Sequence, residues 1–278
     1  MPDTSDSSIC TVYLFRTIHP ISDFTRFMDG FEKYTRSGIC RLCIILKGAV
    51  SQDQEEVIYR RVESMKSKFD IFIVRIDDSC LVSEAYYKVS RDLSDKYVCF
   101  CNTYSEPIVP DWLEKLSGIV VEDQAGVSGA TGAYESTLSE TRFPNPSLRT
   151  NAYFVSRELY LNLDGVDASD REGALRFESG QTSMTRQILA LGKRVVVVNG
   201  DGNAFDINKC HEANAFRSVG PQNLLVADNR TRAYDEADEK LKAKLRRFAW
   251  EGRKTRRQRF LSALKRAVRN VLVSAGRR

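Results

Sequence analysis

Residues Tyr97–Leu116, YVCFCNTYSEPIVPDWLEKL, contain the pattern that decides the fold. The five apolar residues Tyr97–Cys101 have the length and composition of a buried strand in a parallel sheet. The polar turn Asn102–Glu106 follows, and a helix is predicted over Pro110–Leu116, because proline is favoured in the first helical turn. A strand, a polar turn and a helix in this order are typical of α/β proteins that bind ligands beyond the carboxyl ends of their strands.

The same alternation extends towards the N-terminus. Three further apolar runs are predicted as buried parallel strands: Cys10–Phe15, Arg41–Leu46 and Phe69–Val74. Apolar residues at helical spacing predict three helices between them: Ile21–Thr35, Ser51–Lys68 and Val82–Leu93. Strands that alternate with helices indicate right-handed crossovers, so we expect a Rossmann-like α/β fold with a mostly parallel sheet.

After Leu116 the alternation of strands and helices is less regular. A further strand is predicted over Gly118–Glu122 and another over Arg194–Asn199, with ordered structure over Ala152–Leu161 and a helix over Thr182–Leu191. Gly126–Asn151 is rich in glycine, proline and small polar residues, and it is predicted as a loop. Asp201–Tyr234 is predicted to be irregular.

Composition and cysteine usage limit the class of protein. The 278 residues are 42% hydrophobic and 28% charged, which is typical of a globular chain that can fill a core. No apolar run approaches the roughly 20 residues of a membrane span, and the polar N-terminus lacks the layout of a secretory signal. We therefore expect a cytoplasmic protein. Seven cysteines fit a reducing compartment, and the pair Cys40 and Cys43 is interpreted as core packing because no second pair completes a zinc site.

The net charge of +5 is very unevenly distributed. Residues 239–278 contain 15 Lys/Arg and 2 Asp/Glu, whereas residues 1–238 contain 27 and 35. Residues 236–278 are predicted to form a basic amphipathic helical tail whose apolar stripe includes Phe260, Leu264 and Val268. Such a helix can lie on an anionic membrane surface. The alternative is a helix packed on the domain with its charges in water.

A second stretch, Phe177–Asn199, reads FESGQTSMTRQILALGKRVVVVN. Together with Tyr97–Leu116 it resembles the GT-A-fold glycosyltransferases, especially the large inverting family that extends bacterial polysaccharides of the O-antigen or capsule type. That family has an apolar strand, a polar turn and a Pro-x-Trp-Leu helix start in the first stretch. In the second it has an acidic catalytic turn, a helix with an arginine, a glycine and a valine-rich strand.

The resemblance covers about residues 10–235 and implies a GT-A-like domain over residues 1–235. Its donor half is about 10–122 and its acceptor half about 123–235, and the basic tail follows. The resemblance implies transfer of a sugar from a nucleotide-sugar donor to a glycan or lipid-linked glycan acceptor. It further implies inversion, a role in bacterial surface-polysaccharide and lipopolysaccharide synthesis, and a peripheral position at the inner face of the cytoplasmic membrane.

Glu178 matches the acidic position that serves as general base in inverting relatives. It would take the proton of an acceptor hydroxyl as that oxygen attacks the anomeric carbon. The alternative is a charge favoured by the helix dipole at the N-terminus of the helix Thr182–Leu191.

Polar residues that follow the predicted strands are candidates for donor binding. They are Arg16 and Thr17 after the first strand, Asp78 after the third, and Asn102 and Ser105 after the fourth. Arginines in the acceptor half are candidates for binding the diphosphate, because a guanidinium can hold two phosphate oxygens at once. They are Arg149, Arg230 and Arg232.

The metal motif of the family is missing here. A diphosphate leaving group usually needs Mg²⁺ or Mn²⁺, yet the turn after Cys101 contains no Asp-x-Asp. Either Glu106 binds a metal with weaker oxygen ligands, and with His211 as a further candidate, or arginines replace the metal. The sequence leaves both open.

Two other functions compete with glycosyl transfer. A nucleic-acid-binding protein would use the basic tail to neutralise phosphates, but the acidic body would repel a polyanion and no RNA-binding or zinc-finger motif occurs. A sugar-nucleotide nucleotidyltransferase usually has a glycine-rich loop after its first strand, and Arg16–Pro20 contains no glycine. The absence of a Walker loop and of GxGxxG argues against P-loop NTPases and dinucleotide oxidoreductases.

Overall fold

Strands and helices alternate through most of the chain in the computed structural model, which describes residues 8–135 and 138–252. The strands are β1 (Ile9–Arg16), β2 (Arg41–Lys47), β3 (Ile71–Ile76), β4 (Tyr97–Cys101), β5 (Glu106–Pro107), β6 (Val127–Gly129), β7 (Gly132–Ala133), β8 (Ser147–Leu148), β9 (Ala152–Ser156), β10 (Val195–Val198), β11 (Ala204–Asp206) and β12 (Val226–Ala227). The helices are α1 (Ile21–Tyr34), α2 (Gln52–Met65), α3 (Val82–Asp92), α4 (Trp112–Val121), α5 (Arg157–Leu161), α6 (Arg171–Ser179), α7 (Met184–Ala190), α8 (Asn229–Glu236) and α9 (Glu239–Trp250).

Eight of these strands form one sheet in the order β11-β10-β6-β9-β4-β1-β2-β3. The neighbours β3, β2, β1 and β4 are parallel, and β10 is parallel to β6. β9 runs antiparallel between β4 and β6, and β11 is an antiparallel edge strand. The mostly parallel sheet predicted from the sequence is therefore confirmed. Six carboxyl ends and the start of β9 meet along one edge, where ligands of open α/β sheets bind.

The sheet is covered on both faces, so its interior strands are buried on both sides, whereas the edge strands β3 and β11 are partly exposed. One core contains Tyr13 of β1, which stacks on Phe27 of α1 with ring centres 3.7 Å apart. The other core contains Tyr86 of α3 and Tyr160 of α5. Cys40 lies in the first core and Cys43 in the second, and all seven cysteines are buried. The interpretation of the CxxC pair as core packing is therefore confirmed.

The strand predicted over Gly118–Glu122 is wrong, because these residues continue α4 to Val121. The buried residues of α4 include Trp112, Leu116 and Val120, which recur every four positions as on one face of a helix. The helix continues past Gly118 because its apolar face packs against the sheet, and this burial outweighs the low helix propensity of one glycine.

The loop predicted over Gly126–Asn151 contains a strand from the interior of the sheet. β6 pairs with both β9 and β10, and β7 pairs with β8 nearby. The small residues that suggested a loop allow close packing, since a Cβ on Gly129 would lie 2.8 Å from the Leu148 side chain. A glycine in a buried strand often marks such a close approach.

The region Asp201–Tyr234 is also more regular than predicted. It contains β11, β12 and the start of α8, together with a short 3-10 segment, Ile207–Ala213. The helical pattern expected from about residue 235 is confirmed as far as Trp250 by α9. The remainder of the predicted basic tail, residues 253–278, lies outside the described residues. None of the described helices is both long and apolar enough to cross a lipid bilayer.

Two helical glycines give a paired test of the packing between α1 and β5. A Cβ on the buried Gly30 of α1 would lie 2.4 Å from the Pro107 backbone oxygen, whereas a Cβ on Gly118 of α4 would meet no atom within 4 Å. We expect Gly30→Ala to lower the free energy of unfolding by about 1–3 kcal/mol. Gly118→Ala should raise it by up to about 1 kcal/mol through helix propensity alone. Urea unfolding measures both, and equal stability of the two variants would contradict the proposed contact.

Candidate active site

A pocket of about 340 Å³ opens at the edge of the sheet where the parallel strands end. Its walls come from the turn after β4, the segment before β9, the last turn of α6 and the first turn of α8. Four residues predicted from the sequence line it: Asn102, Arg149, Glu178 and Arg230. Tyr104, Glu135 and Asp228, which were not predicted, line it too. The fold therefore brings residues of the predicted donor and acceptor halves into one pocket.

Glu178 is a partly buried carboxylate at this pocket, and it forms no hydrogen bond or ion pair with any residue of 8–135 or 138–252. Burial raises its pKa above the ordinary value for glutamate, and the nearby charges of Arg230 and Arg149 oppose this rise. Glu178 also lines a small crevice together with Leu148, Phe177 and Met184.

The helical surroundings of Glu178 differ from the prediction. The residue lies in the last turn of α6, whereas the sequence suggested an acidic turn or the N-terminus of the following helix. The helix dipole therefore does not explain a carboxylate here, because a negative charge is disfavoured at a helix C-terminus.

A buried ion pair joins the segment before β9 to the start of α8. Arg149 Nη2 lies 3.2 Å from Asp228 Oδ2, and the guanidinium stacks on Phe216, 4.2 Å from the ring centre. Burial lowers the pKa of Arg149, and the charge of Asp228 opposes this. Asp228 Oδ1 accepts hydrogen bonds from the backbone N–H groups of Arg230 (2.9 Å) and Thr231 (2.7 Å), and so caps α8.

A second buried pair lies beside the first. Arg217 Nη1 donates a hydrogen bond to Glu135, and both side chains are more than nine-tenths buried. The contact from Arg230 Nη1 to the other Glu135 oxygen is long, at 3.9 Å, and 56% of the Arg230 side chain is exposed. Asn145 donates to the Ser179 carbonyl at 2.8 Å, which ties this region to the end of α6. Arg230 is thus the most available cation of the pocket.

The residues predicted to contact the donor nucleoside meet at the ends of β1 to β3. Arg16 Nη2 and Lys47 Nζ lie 3.2 Å and 2.7 Å from Asp78 Oδ1. The Lys47 ammonium, followed by the Arg16 guanidinium, lowers the pKa of Asp78. Tyr104 lines the pocket, and the turn that carries it is tied to β1 by a 3.0 Å hydrogen bond from Arg16 N to Thr103 Oγ1.

Three predicted donor ligands have side chains that are already used within the protein. Thr17 Oγ1 donates to the Lys47 carbonyl at 3.1 Å, and Ser105 Oγ donates to the Asn151 carbonyl. Asn102 Nδ2 donates to the Thr150 carbonyl at 3.0 Å, while its Oδ1 accepts from Tyr104 N at 2.9 Å. The hydroxyls of Thr17 and Ser105 are buried and shape the turns, and their role as donor ligands stays a prediction. Asn102 lines the pocket but mainly fixes the turn after β4.

The residues predicted as metal ligands do not come together. Glu106 forms ion pairs with Arg232 (2.6 Å) and Arg26 (3.7 Å) and lines a separate open groove between α1 and β5. His211 Nδ1 lies 2.9 Å from the Tyr134 hydroxyl and does not line the pocket. Within the described part of the chain, no three His, Cys, Asp or Glu side chains are grouped to hold a metal ion. This donor set does not fit a divalent metal. Arg232 pairs with Glu106 and does not line the pocket, and its phosphate contact stays a prediction.

Sequence reasoning missed Asp228 and Glu135, although one signal for Asp228 was present. Asp228 and Thr231 form a reciprocal capping box, with Thr231 Oγ1 accepting from Asp228 N at 2.7 Å. An Asp followed three residues later by a hydroxyl residue is a helix-start signature, and it lies in a region predicted to be irregular. No local pattern marks Glu135, because its partner Arg217 is 82 residues away.

The fold is similar to that of the mannosyltransferase PcManGT from Pyrobaculum calidifontis, solved in complex with GDP-Man and Mn²⁺. The TM-score is 0.50 at 13% identity, over 71% of this chain and 56% of that one. The GT-A-like fold expected from the sequence is therefore confirmed. At this identity the likeness shows the fold alone.

Two further structures are more distant. GalNAc-T7, solved with UDP, GalNAc and Mn²⁺, has a TM-score of 0.44 at 11% identity, over 56% of this chain and 36% of that one. TarS from S. aureus has a TM-score of 0.44 at 12% identity, over 60% and 32%. At these scores the likeness is too weak to support a conclusion. The chain spans between about a third and somewhat over half of the length of these three proteins.

Comparison at the sequence level gives no relatives. No protein-family model matches the chain, and no curated protein matches its sequence.

The Arg149–Asp228 pair gives a test of what holds the pocket together. Asp228→Asn retains a residue that can cap α8 but leaves Arg149 buried without its counter-charge, so we expect a loss of about 3 kcal/mol in unfolding free energy. Asp206→Asn is the matched control, because Asp206 pairs with Arg194 at 2.8 Å on the surface. The control should cost less than about 1 kcal/mol. Denaturant unfolding of both variants measures the difference, and equal losses would argue against a buried pair.

Proposed function

We propose that this chain is a glycosyltransferase that moves a sugar from a nucleotide-sugar donor to a saccharide acceptor. One observation carries the proposal. Glu178, a carboxylate with no hydrogen-bond or ion-pair partner among residues 8–135 and 138–252, shares a pocket with Arg149 and Arg230 at the ligand-binding edge of a GT-A-like sheet. A free base beside cations is the arrangement needed to deprotonate a nucleophile while a negatively charged group departs.

The donor would lie along the carboxyl ends of β1 to β4. Its nucleoside would contact the cluster of Arg16, Lys47 and Asp78, where the Asp78 carboxylate is 51% exposed. Its diphosphate would lie towards Arg149 and Arg230, whose guanidinium groups form charge-assisted hydrogen bonds with phosphate oxygens. The sugar would then be held beside Glu178, between the turn after β4 and the end of α6.

In the transfer step the acceptor hydroxyl oxygen attacks the anomeric carbon and forms the new glycosidic bond. The bond from that carbon to the diphosphate oxygen breaks, and the nucleoside diphosphate leaves with the electron pair. Glu178 takes the hydroxyl proton. A single displacement with the base on the acceptor side inverts the anomeric configuration, so we propose an inverting enzyme.

We further propose that the acceptor is a glycan or lipid-linked glycan of bacterial surface-polysaccharide synthesis, used at the inner face of the cytoplasmic membrane. The exposed face of α9 supports a membrane contact, because Lys240, Lys244 and Arg247 recur there at steps of four and three. The sequence adds ten Lys/Arg and no Asp or Glu over residues 253–278. Basic residues next to an anionic surface each contribute about 1 kcal/mol of attraction.

Glu178→Gln tests the base. The variant keeps the size and polarity of the side chain but cannot accept the proton, so the rate of transfer should fall by about 10²–10⁴. Binding of the donor, measured by calorimetry, should change little. Glu172→Gln is the matched control, since Glu172 lies on the same helix and pairs on the surface with Arg176. If Glu178→Gln transfers the sugar at the full rate, Glu178 is not the base and the proposed mechanism is wrong.

The pH dependence of kcat/KM for the parent protein and the two variants gives an independent test of the base. The ionised form of Glu178 is the active one, and burial raises its pKa. The value of kcat/KM should therefore fall with decreasing pH around a midpoint above about 4.3, the ordinary value for glutamate. The residual activity of Glu178→Gln should lack this acidic limb, whereas the Glu172→Gln profile should match that of the parent protein.

Flotation with liposomes tests the membrane contact. The double variant Lys240→Glu and Lys244→Glu should reduce binding to anionic vesicles by about ten-fold or more, and binding to neutral vesicles should be weak for all proteins. The charge-matched control is Lys33→Glu and Lys66→Glu, which changes exposed residues of α1 and of the end of α2. If both double variants float equally well, α9 is not part of a membrane surface. Salt-sensitive binding to a DNA oligomer with no flotation would instead favour a nucleic-acid-binding protein.

A further inference from the structure

We infer that the charge of the departing diphosphate is balanced in this protein by Arg149 and Arg230, without a divalent metal ion. This inference rests on the proposed glycosyl transfer and concerns the same pocket. It departs from the mannosyltransferase that shares the fold, whose structure contains Mn²⁺.

The carboxylates of the pocket provide the first argument. Among the described residues, three carboxylates line the pocket. Two of them already have arginine partners, since Asp228 pairs with Arg149 and Glu135 pairs with Arg217. Both acids are more than nine-tenths buried, so a metal ion that recruited either one would leave a buried arginine without its counter-charge. Glu178 is the remaining acid, and proton transfer needs it free.

The turn after β4 provides the second argument. Hard cations such as Mg²⁺ take carboxylate and carbonyl oxygens as ligands. The turn contains one acid, Glu106, and its carboxylate faces Arg232 and Arg26. The Asn102 side-chain oxygen accepts a hydrogen bond from Tyr104 N at 2.9 Å. Both arginines contact Glu106 Oε2, and Glu106 lines the separate groove between α1 and β5, so the turn brings no carboxylate into the pocket.

The residues outside the described ranges add few acids. Residues 253–278 contain no Asp, Glu, His or Cys, and residues 136 and 137 are Ser and Thr. Asp3 and Asp6 are the two acids of residues 1–7. The sequence itself therefore limits the supply of further metal ligands.

The two arginines supply the charge that a metal would bring. Arg230 is more than half exposed, and its contact with Glu135 is long at 3.9 Å, so its guanidinium can turn to a phosphate. Arg149 uses Nη2 for Asp228, while its buried Nε has no hydrogen-bond partner within the described ranges. A buried polar group without a partner is uncommon, and an anion in the pocket would supply one.

Calorimetry with UDP, GDP, CDP, ADP and dTDP, each in EDTA and in Mn²⁺, tests the inference. The diphosphate that binds should do so with a Kd that changes less than about two-fold between the two conditions. Arg230→Gln should weaken its binding by about ten-fold or more, since hydrogen bonds to a charged group are lost. Binding of the corresponding monophosphate should weaken less. Arg194→Gln, a surface arginine paired with Asp206, is the matched control and should leave both affinities unchanged.

The possible failures are distinguishable. Binding that EDTA abolishes and Mn²⁺ restores overturns the metal-free site and leaves the glycosyltransferase intact. Unchanged diphosphate binding by Arg230→Gln in EDTA also overturns the assignment of this arginine. If none of the five diphosphates binds under either condition, the proposed function fails and the inference fails with it.

Discussion

The pocket depends on one buried carboxylate, that of Asp228. One of its oxygens accepts the backbone N–H groups that begin α8, and the other holds Arg149 from the segment before β9. Two parts of the chain that are 79 residues apart are thereby fixed in one place, and the position of Arg230 on the first turn of α8 follows. The cost of burying Arg149 is offset by this ion pair and by stacking on Phe216. Without Asp228 neither arginine would have a defined position beside Glu178.

The acids of the pocket are divided into two kinds by their surroundings. Asp228 and Glu135 form ion pairs with Arg149 and Arg217, so these two acids serve the architecture. Glu178 is partly buried and has no such partner in the described parts of the chain, and burial raises its pKa. A general base is most effective when its pKa lies nearer the working pH than that of an exposed carboxylate. Glu178 can therefore act as the base, whereas the ion pairs of Asp228 and Glu135 stabilise the pocket.

Much of this fold was predictable because long apolar runs dominate its first half. β1 to β4 and α1 to α3 agree with the predicted ranges to within a few residues, since β1, β2 and β4 are buried along almost their whole length and each helix buries one face. The interior strand β6 was missed, because three residues with small side chains carry no periodic signal. The resemblance pointed to Glu178, whereas Asn102 was predicted from its place after a strand and Arg149 and Arg230 from guanidinium chemistry; the structure brings all four together. The pairings that organise them, such as Glu135 with Arg217, join residues far apart in the chain and have no local sequence pattern.

The sheet and the charge balance at its edge are separate properties of this protein. A GT-A-like arrangement brings the turn after β4 next to the ends of the other strands, whichever side chains the turn contains. In this chain the turn has an amide, Asn102, that closes the turn itself, and the charged groups come from the other side of the pocket, from α8 and the segment before β9. Because Arg230 lies on the first turn of α8, its position depends on the capping of that helix by Asp228. The start of this helix, more than the strand that dominates the sequence signal, therefore determines how a phosphate would be held.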